Sequence, residues 1–263
     1  MAASRTIKSS VHVVALSAFT EPPACFIHHP PGTRRAPKPL VAEATQCHRL
    51  AKIPQVSITK STILTLSHMK SQHHIIYIPG IGDDRLGVQS LIVKFWRLYG
   101  VYGHCHPMPW AGRGAYGDKI TLLLTEIDSY AAAGHRVSLV GASAGATAAL
   151  NAYVVRRSTL RGVILVCAKL NHPETVSPRL LQKNPAFKLA LAATQANLKS
   201  LSVADKQRFH LFYSVHDSYV PHRDSYIFGV PEDALPTRGH AFSILFCLTL
   251  GFPKLLSVLR TNF

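Results

Sequence analysis

The chain has 263 residues, of which 47% are hydrophobic and 16% charged, with a formal net charge of +16. This length is enough for one domain with a complete core, and no apolar run reaches the roughly 18 residues that cross a bilayer, so we expect no integral membrane segment. The basic residues that produce the charge are scattered outside any recognition motif, so we expect no nucleic-acid partner.

The five cysteines are widely spaced and show no CxxC pattern. An odd number at such spacing predicts neither a disulfide framework nor a zinc site, and we expect no bound metal. Cys167 and Cys247 lie in apolar runs, which is typical of thiols in a core. These features favour a reducing compartment, and the simplest expectation is a cytoplasmic protein.

Residues 1–68 differ in composition from the rest of the chain. They contain eight Lys or Arg, only two Asp or Glu and several prolines, without a sustained helical or strand period. Such a segment is not expected to build a core of its own. Three interpretations stay open: a targeting segment, a secretion signal around Val11 to Phe19, or an extension outside the functional domain, which would then span residues 69–263.

From Met69 onward, apolar periodicities follow one another in a regular order. Strand-like runs alternate with runs of helical spacing, and the predicted helices begin and end at capping residues such as Asp83-Asp84 and Gly134. In chain order, the pattern predicts a strand at 74–78, a helix at 88–98, a strand at 99–104, a helix at 120–131, a strand at 137–140, a helix at 144–155, and strands at 162–167 and 209–215. The apolar run from Ala241 to Phe252 predicts a buried helix.

This alternation predicts an α/β fold with a mostly parallel central sheet and helices on both faces. The stretch from about 169 to 206 interrupts the rhythm, because it is helical in character and stands between two predicted strands. We interpret it as a short helical insertion, or cap, that lies over the sheet edge before the next strand.

A serine stands in the turn between a predicted strand and a predicted helix, in Gly141-Ala142-Ser143-Ala144-Gly145. This is the context of a nucleophile elbow, in which a tight turn displays the serine and glycines two residues away avoid a clash with the neighbouring helix or strand. The pattern alone also fits a Gly/Ala-rich helix start. Since a serine hydroxyl is a poor nucleophile without a base, an acid and a histidine must follow.

Both follow at suitable places. Asp217 comes just after the strand at 209–215, and His240 stands where a loop enters an apolar helix. Asp224, seven residues beyond Asp217, is the rival acid, but the strand-end position favours Asp217. His104-Cys105-His106 lacks the further ligands of a metal site, and we interpret it as a loop at a strand end that lines a pocket beside Trp110.

The stretches VGASAGA, DSYVP and RGH together resemble the α/β-hydrolase superfamily, over about residues 73–263. The resemblance implies a catalytic triad of Ser143, Asp217 and His240. It also implies an oxyanion hole formed by the backbone N–H groups of Ile81 and Ala144. The loop before Ile81 departs from the family, because Pro79 stands where members often have histidine.

The resemblance implies a serine hydrolase that cleaves a small-molecule carboxylic ester or thioester without any cofactor. Two other functions stay open. One is a non-catalytic scaffold that keeps the fold for binding, and the other is a triad enzyme with non-hydrolytic chemistry. The sequence is silent on the acyl group and on the oligomeric state.

We predict that a chain shortened to begin at Met69 folds and keeps full activity. All five candidate site residues lie beyond this point, and the absence of periodicity before it predicts few buried contacts across the boundary. The melting temperature and kcat/KM of the short and full chains test the prediction. Loss of several degrees together with activity would mean that a front stretch such as 57–66 adds a strand to the sheet.

Overall fold

The computed structural model of the chain describes residues 71–82, 87–112, 114–261 and 263. The segment 1–68, the boundary at Met69 and the predicted helix cap at Asp83-Asp84 lie outside the described residues.

Six parallel strands form the centre of the described fold. They are β1 (His73–Ile78), β2 (Tyr102–Cys105), β3 (Arg136–Ala142), β4 (Leu160–Val166), β5 (Phe209–His216) and β6 (Glu232–Arg238). Their order across the sheet is β2-β1-β3-β4-β5-β6, and every neighbouring pair runs in parallel. The predicted parallel α/β sheet is confirmed.

Helices cover both faces of this sheet. The described α-helices are α1 (Val88–Phe95), α2 (Tyr116–Ala132), α3 (Gly145–Val155), α4 (Pro178–Lys183), α5 (Pro185–Lys199), α6 (Val203–Lys206), α7 (His222–Ser225), α8 (His240–Leu248) and α9 (Phe252–Thr261). Alternate residues of β1 belong to different cores: Ile76 packs in the cluster that includes α2, α3 and α5, and Ile75 in the one that includes α1, α8 and α9. Burial on both faces explains why the inner strands β1, β3 and β4 are largely apolar.

The helical stretch at 169–206 lies before the acid-bearing strand β5, as predicted, but its place in the fold differs from the prediction. Phe187, Ala190 and Leu191 of α5 are buried in the same core as α2 and α3, instead of lying over the sheet edge. Two neighbouring parallel strands need a crossover across one sheet face. The stretch supplies that crossover between β4 and β5.

Helical structure covers the predicted range 88–98, but the predicted start of the next strand at residue 99 was wrong. The α-helix ends at Phe95 and continues as a 3-10 helix over Trp96–Tyr99, and β2 begins only at Tyr102. Gly100 adopts a φ of 77° between them, which favours glycine. A turn therefore stands where the apolar residues suggested a strand.

The C-terminal region also differs from the prediction. The loop expected around Leu235 is the edge strand β6, where Pro236 is tolerated because one side of an edge strand needs no ladder partner. The apolar run from Ala241 to Phe252 is not one buried helix, since α8 ends at Leu248. Phe242 on α8 is 60% exposed.

Among the described residues, no single helix is both long and apolar enough to cross a membrane. The pair α8 and α9 reaches that length and composition only together, with a bend of 64° between them.

Glycine allows α3 to approach the sheet closely. A Cβ on Gly145 would stand 2.1 Å from the carbonyl oxygen of Ile78, and a Cβ on Gly141 would stand 2.7 Å from the Cα of Ala146. Backbone atoms cannot move aside as a flexible side chain can. The glycines on either side of Ser143 are therefore required by packing, as the sequence pattern predicted.

We predict that Gly145→Ala destabilises the protein by about 3 kcal/mol or more, because the new methyl group overlaps the β1 backbone. Gly117→Ala is the matched control, since a Cβ there meets nothing within 4 Å and alanine favours the helix. Urea unfolding of the two variants measures the difference. Equal stability would show that α3 can shift away from β1 at little cost.

Candidate active site

Ser143 stands in a strained turn between β3 and α3. Its φ is 51°, a left-handed conformation that is uncommon for residues other than glycine. Its N–H donates to the Val166 carbonyl at 3.0 Å, and its carbonyl accepts from Ala146 N at 3.2 Å and Lys169 N at 3.2 Å. These bonds to the end of β4, to α3 and to the following loop hold the serine backbone in place.

The loop after β1 lies directly against this serine. A Cβ on Gly80 would stand 3.0 Å from the Ser143 Cβ and 3.5 Å from its Oγ, so a larger side chain would fill the space beside the hydroxyl. In the described part of the chain, neither Ile81 N–H nor Ala144 N–H donates to a backbone or side-chain acceptor. Two backbone donors are thus unused beside the serine.

His240 and Asp217 form a hydrogen-bonded pair. The Nδ1 atom of His240 lies 2.6 Å from Oδ2 of Asp217, while the other carboxylate oxygen accepts the N–H groups of Tyr219 and Val220, both at 2.9 Å. Burial raises the pKa of Asp217, but the His240 and backbone hydrogen bonds outweigh it and leave this pKa below its ordinary value. The ionised carboxylate therefore orients the imidazole and leaves Nε2 as its second nitrogen.

Gly239 is the residue at which the chain turns from β6 into α8. Gly239 adopts a φ of 84°, and its N–H donates to the His216 carbonyl at 3.2 Å. This bond connects the residue before His240 to the residue before Asp217, so the two side chains start from neighbouring backbone.

Ser143 and His240 are both described, and no hydrogen bond joins the serine hydroxyl to the imidazole. Such bonds are often long in proteins without substrate and tighten when substrate binds. The structure therefore brings His240 and Asp217 into contact. Ser143 lies at the same edge of the sheet, but no hydrogen bond joins it to either residue.

Asp224 has a different partner. Its Oδ2 accepts from Lys169 Nζ at 2.5 Å, and both side chains are buried. Lys169 also donates to the His172 carbonyl at 3.0 Å and to Thr175 Oγ1 at 2.6 Å. Since the backbone N–H of Lys169 donates to Ser143, this buried ion pair anchors the loop that holds the serine.

Cys167 belongs to the apolar core, as its surroundings predicted, and it also lies beside Asp217 and His240. It follows β4 directly, is 1% exposed and has a φ of 45°. Its sulfur, an Asp217 oxygen and a His240 nitrogen lie within 4.8 Å of one another, the one group of three possible metal ligands among the described residues. Burial, followed by the Asp217 charge, raises the pKa of this thiol. The position of Cys167 directly after an inner strand was the feature of the sequence that could have indicated its place at this site.

The interpretation of His104-Cys105-His106 as a pocket-lining loop was wrong. His104 and Cys105 belong to β2, and His104 Nε2 bonds to His74 Nδ1 at 2.9 Å. His106 bonds to Glu126 at 2.7 Å. Trp110 is fully buried and packs edge-on against Phe187, so it lines no open pocket.

Comparison with solved structures decides the fold. One of the metagenome-derived lipolytic enzymes LipS and LipT superposes with a TM-score of 0.54 at 14% identity, over 72% of this chain and 94% of that chain. An alpha/beta hydrolase from a sediment metagenome of the Mar Chica lagoon, Morocco, gives 0.51 at 16% identity, over 74% and 93%. The ydeN product of B. subtilis gives 0.51 at 18% identity, over 73% and 99%. This chain has the α/β-hydrolase fold.

The sequence itself matches no protein-family model and no curated protein sequence. Within this α/β-hydrolase fold, Ser143 follows β3, Asp217 follows β5 and His240 follows β6. The carboxyl ends of parallel strands meet at one edge of a sheet, which is where open α/β folds bind ligands. The three residues singled out from the sequence therefore lie along this edge.

Proposed function

We propose that this protein is a serine hydrolase that cleaves a carboxylic ester or a thioester through Ser143, His240 and Asp217. The observation that supports the proposal best is the 2.6 Å hydrogen bond between His240 Nδ1 and Asp217, on the same sheet edge as a serine in a strained turn. A buried carboxylate that fixes one imidazole nitrogen leaves the other to act as a base.

In the first half of the reaction, Ser143 Oγ attacks the carbonyl carbon of the substrate and Nε2 of His240 takes the hydroxyl proton. Asp217 stabilises the resulting imidazolium. The tetrahedral intermediate then expels the alcohol or thiol, which receives the proton from His240. The product of this half is an acyl group on Ser143.

The developing oxyanion needs donors that are already in place. The N–H groups of Ile81 and Ala144 have no acceptor among the described residues, and α3 begins directly after Ala144, so its positive end adds to the field. Removing one such donor costs roughly 3 kcal/mol in hydrolases of this type. Pro79 does not prevent this arrangement, because the donors belong to the backbone.

In the second half, water attacks the acyl carbon while His240 takes a proton from the water. The second tetrahedral intermediate collapses, His240 returns the proton to Ser143 Oγ, and the carboxylic acid leaves. Each proton taken is given back, so the cycle requires no metal or organic cofactor.

A scaffold without catalysis is the alternative. It would keep the serine turn for packing alone and would leave Ser143 unreactive. Labelling of the serine by a fluorophosphonate probe distinguishes the two functions directly.

We predict that a fluorophosphonate labels the full chain on Ser143 and that Ser143→Ala abolishes both labelling and ester hydrolysis, with kcat lowered roughly 10⁶-fold. Ser218→Ala is the matched control, because Ser218 is an exposed serine beside Asp217. Mass spectrometry of the labelled peptide identifies the serine. Turnover by a folded Ser143→Ala protein would contradict the assignment of the nucleophile.

The two buried carboxylates should respond differently to the same substitution. Asp217→Asn should lower kcat by about 10⁴-fold because the imidazole loses its orienting charge. Asp224→Asn should instead lower the free energy of unfolding by about 3–5 kcal/mol, because it leaves Lys169 buried beside a neutral group. Kinetics and urea unfolding of both variants separate the effects, and the opposite result would make Asp224 the acid of the triad.

A further inference from the structure

A cavity lies at the opposite edge of the sheet from Ser143. Its volume is about 260 Å³. It is lined by the first residues of β1 and β3, by the turn before β2, and by the C-terminal helix. The cationic lining residues are Arg136, Arg161 and Arg260, and His73 completes the polar lining.

The three arginines line this one cavity without a carboxylate side chain among the lining residues. Within the residues that the structure describes, none of them forms an ion pair with a carboxylate, and no Asp or Glu lines the cavity. By contrast, Arg156 on the same basic protein is held by Asp128 at 2.7 Å. Like charges gathered at one place repel each other, and a bound anion removes that repulsion.

Two of the three arginines are also bonded to the backbone near the cavity. Nη2 of Arg260 donates to the Tyr99 carbonyl at 2.7 Å, which places this guanidinium beside Gly100. Arg136 is the first residue of β3, and its N–H donates to the Gln72 carbonyl at 2.8 Å. The guanidinium of Arg260 and the backbone of Arg136 are thus held in place at the cavity before any ligand arrives.

His73 adds a neutral group to this set. It is 5% exposed, and its Nε2 bonds to Ser138 Oγ at 2.9 Å. Burial, together with the charges of Arg136, Arg161 and Arg260, lowers the pKa of His73 to about 4. The imidazole is therefore uncharged at neutral pH, and the three arginines lie close enough to influence it.

The basic surface continues beyond the cavity. A larger neighbouring recess of about 620 Å³ shares Arg136 and Arg161 and adds Arg208; no Asp or Glu lines it, and Phe263, the last residue of the sequence, does. A ligand with a phosphate in the small cavity therefore has room for a further group next to it.

We propose that the cavity bounded by Arg136, Arg161 and Arg260 binds a phosphate group, either as inorganic phosphate or as a small phosphate monoester. Guanidinium groups present paired N–H donors that match the oxygens of phosphate. The cavity is smaller than the pockets of about 300–1,000 Å³ that take drug-sized ligands, which fits one phosphate with few attached atoms. This site is separate from the proposed hydrolytic site and does not depend on it.

Calorimetric titration of the full chain with inorganic phosphate, at constant ionic strength set with sodium chloride, tests the proposal. We expect saturable one-to-one binding, and a melting temperature that rises with phosphate because only the folded state has the cavity. Parallel titration with phenyl phosphate distinguishes the two sources: tighter binding indicates a monoester, and equal binding indicates the free ion. Ser143→Ala should bind phosphate as tightly as the unaltered chain does.

Arg161→Gln should weaken phosphate binding at least tenfold, because charge-assisted hydrogen bonds are lost. Arg179→Gln, an exposed arginine on α4, removes the same charge elsewhere and should leave the affinity unchanged. Arg161→Lys keeps the charge without the paired donors and should bind phosphate with an intermediate affinity. This variant replaces Arg161→Gln in the test if the glutamine variant does not fold. No saturable binding, equal weakening by the two glutamine variants, or binding of a single-stranded oligonucleotide but not of phosphate would overturn the proposal.

Discussion

The close approach of α3 to the backbone of β1 is the constraint on which the rest of the molecule depends. At the closest point, the Ile78 carbonyl leaves no space for a side chain on residue 145, so the helix can lie there only with glycine. The turn that joins β3 to this helix forces Ser143 to a φ of 51°. Backbone strain of this kind persists only where the surrounding structure holds it. Here hydrogen bonds from β4, from α3 and from the loop at Lys169 supply that support.

Two buried carboxylates of this basic chain have different roles. Asp217 and Asp224 lie seven residues apart and are both buried, yet their partners give them different roles. Asp217 accepts two backbone N–H groups and the His240 imidazole, so its charge acts on the imidazole. Asp224 is bonded to Lys169, so its charge is neutralised within the fold. A buried carboxylate acquires its function from the group that bonds to it.

The parallel sheet also separates two chemical environments. All strands run in one direction, so loops after the strands gather at one edge and first residues of strands gather at the other. The carboxyl edge carries the serine, the histidine and their supporting acid. The amino edge carries arginines that have no carboxylate partner among the described residues. One topological feature therefore keeps the proposed reaction centre and the proposed phosphate site apart, with the apolar core between them.

The sequence by itself predicted the parallel α/β architecture and singled out Ser143 and His240, with Asp217 preferred to Asp224, because apolar periodicity, glycine spacing and position after a strand are local signals. It misplaced the start of β2, the edge strand β6 and the C-terminal helices, because an apolar residue fits on either side of such a boundary. Only the tertiary structure decided that Asp217, and not Asp224, contacts His240, that Cys167 lies beside this pair, and that the Lys169 N–H bonds to the Ser143 carbonyl. Those contacts join residues far apart in the chain, and strand order, which no local pattern encodes, brings them together.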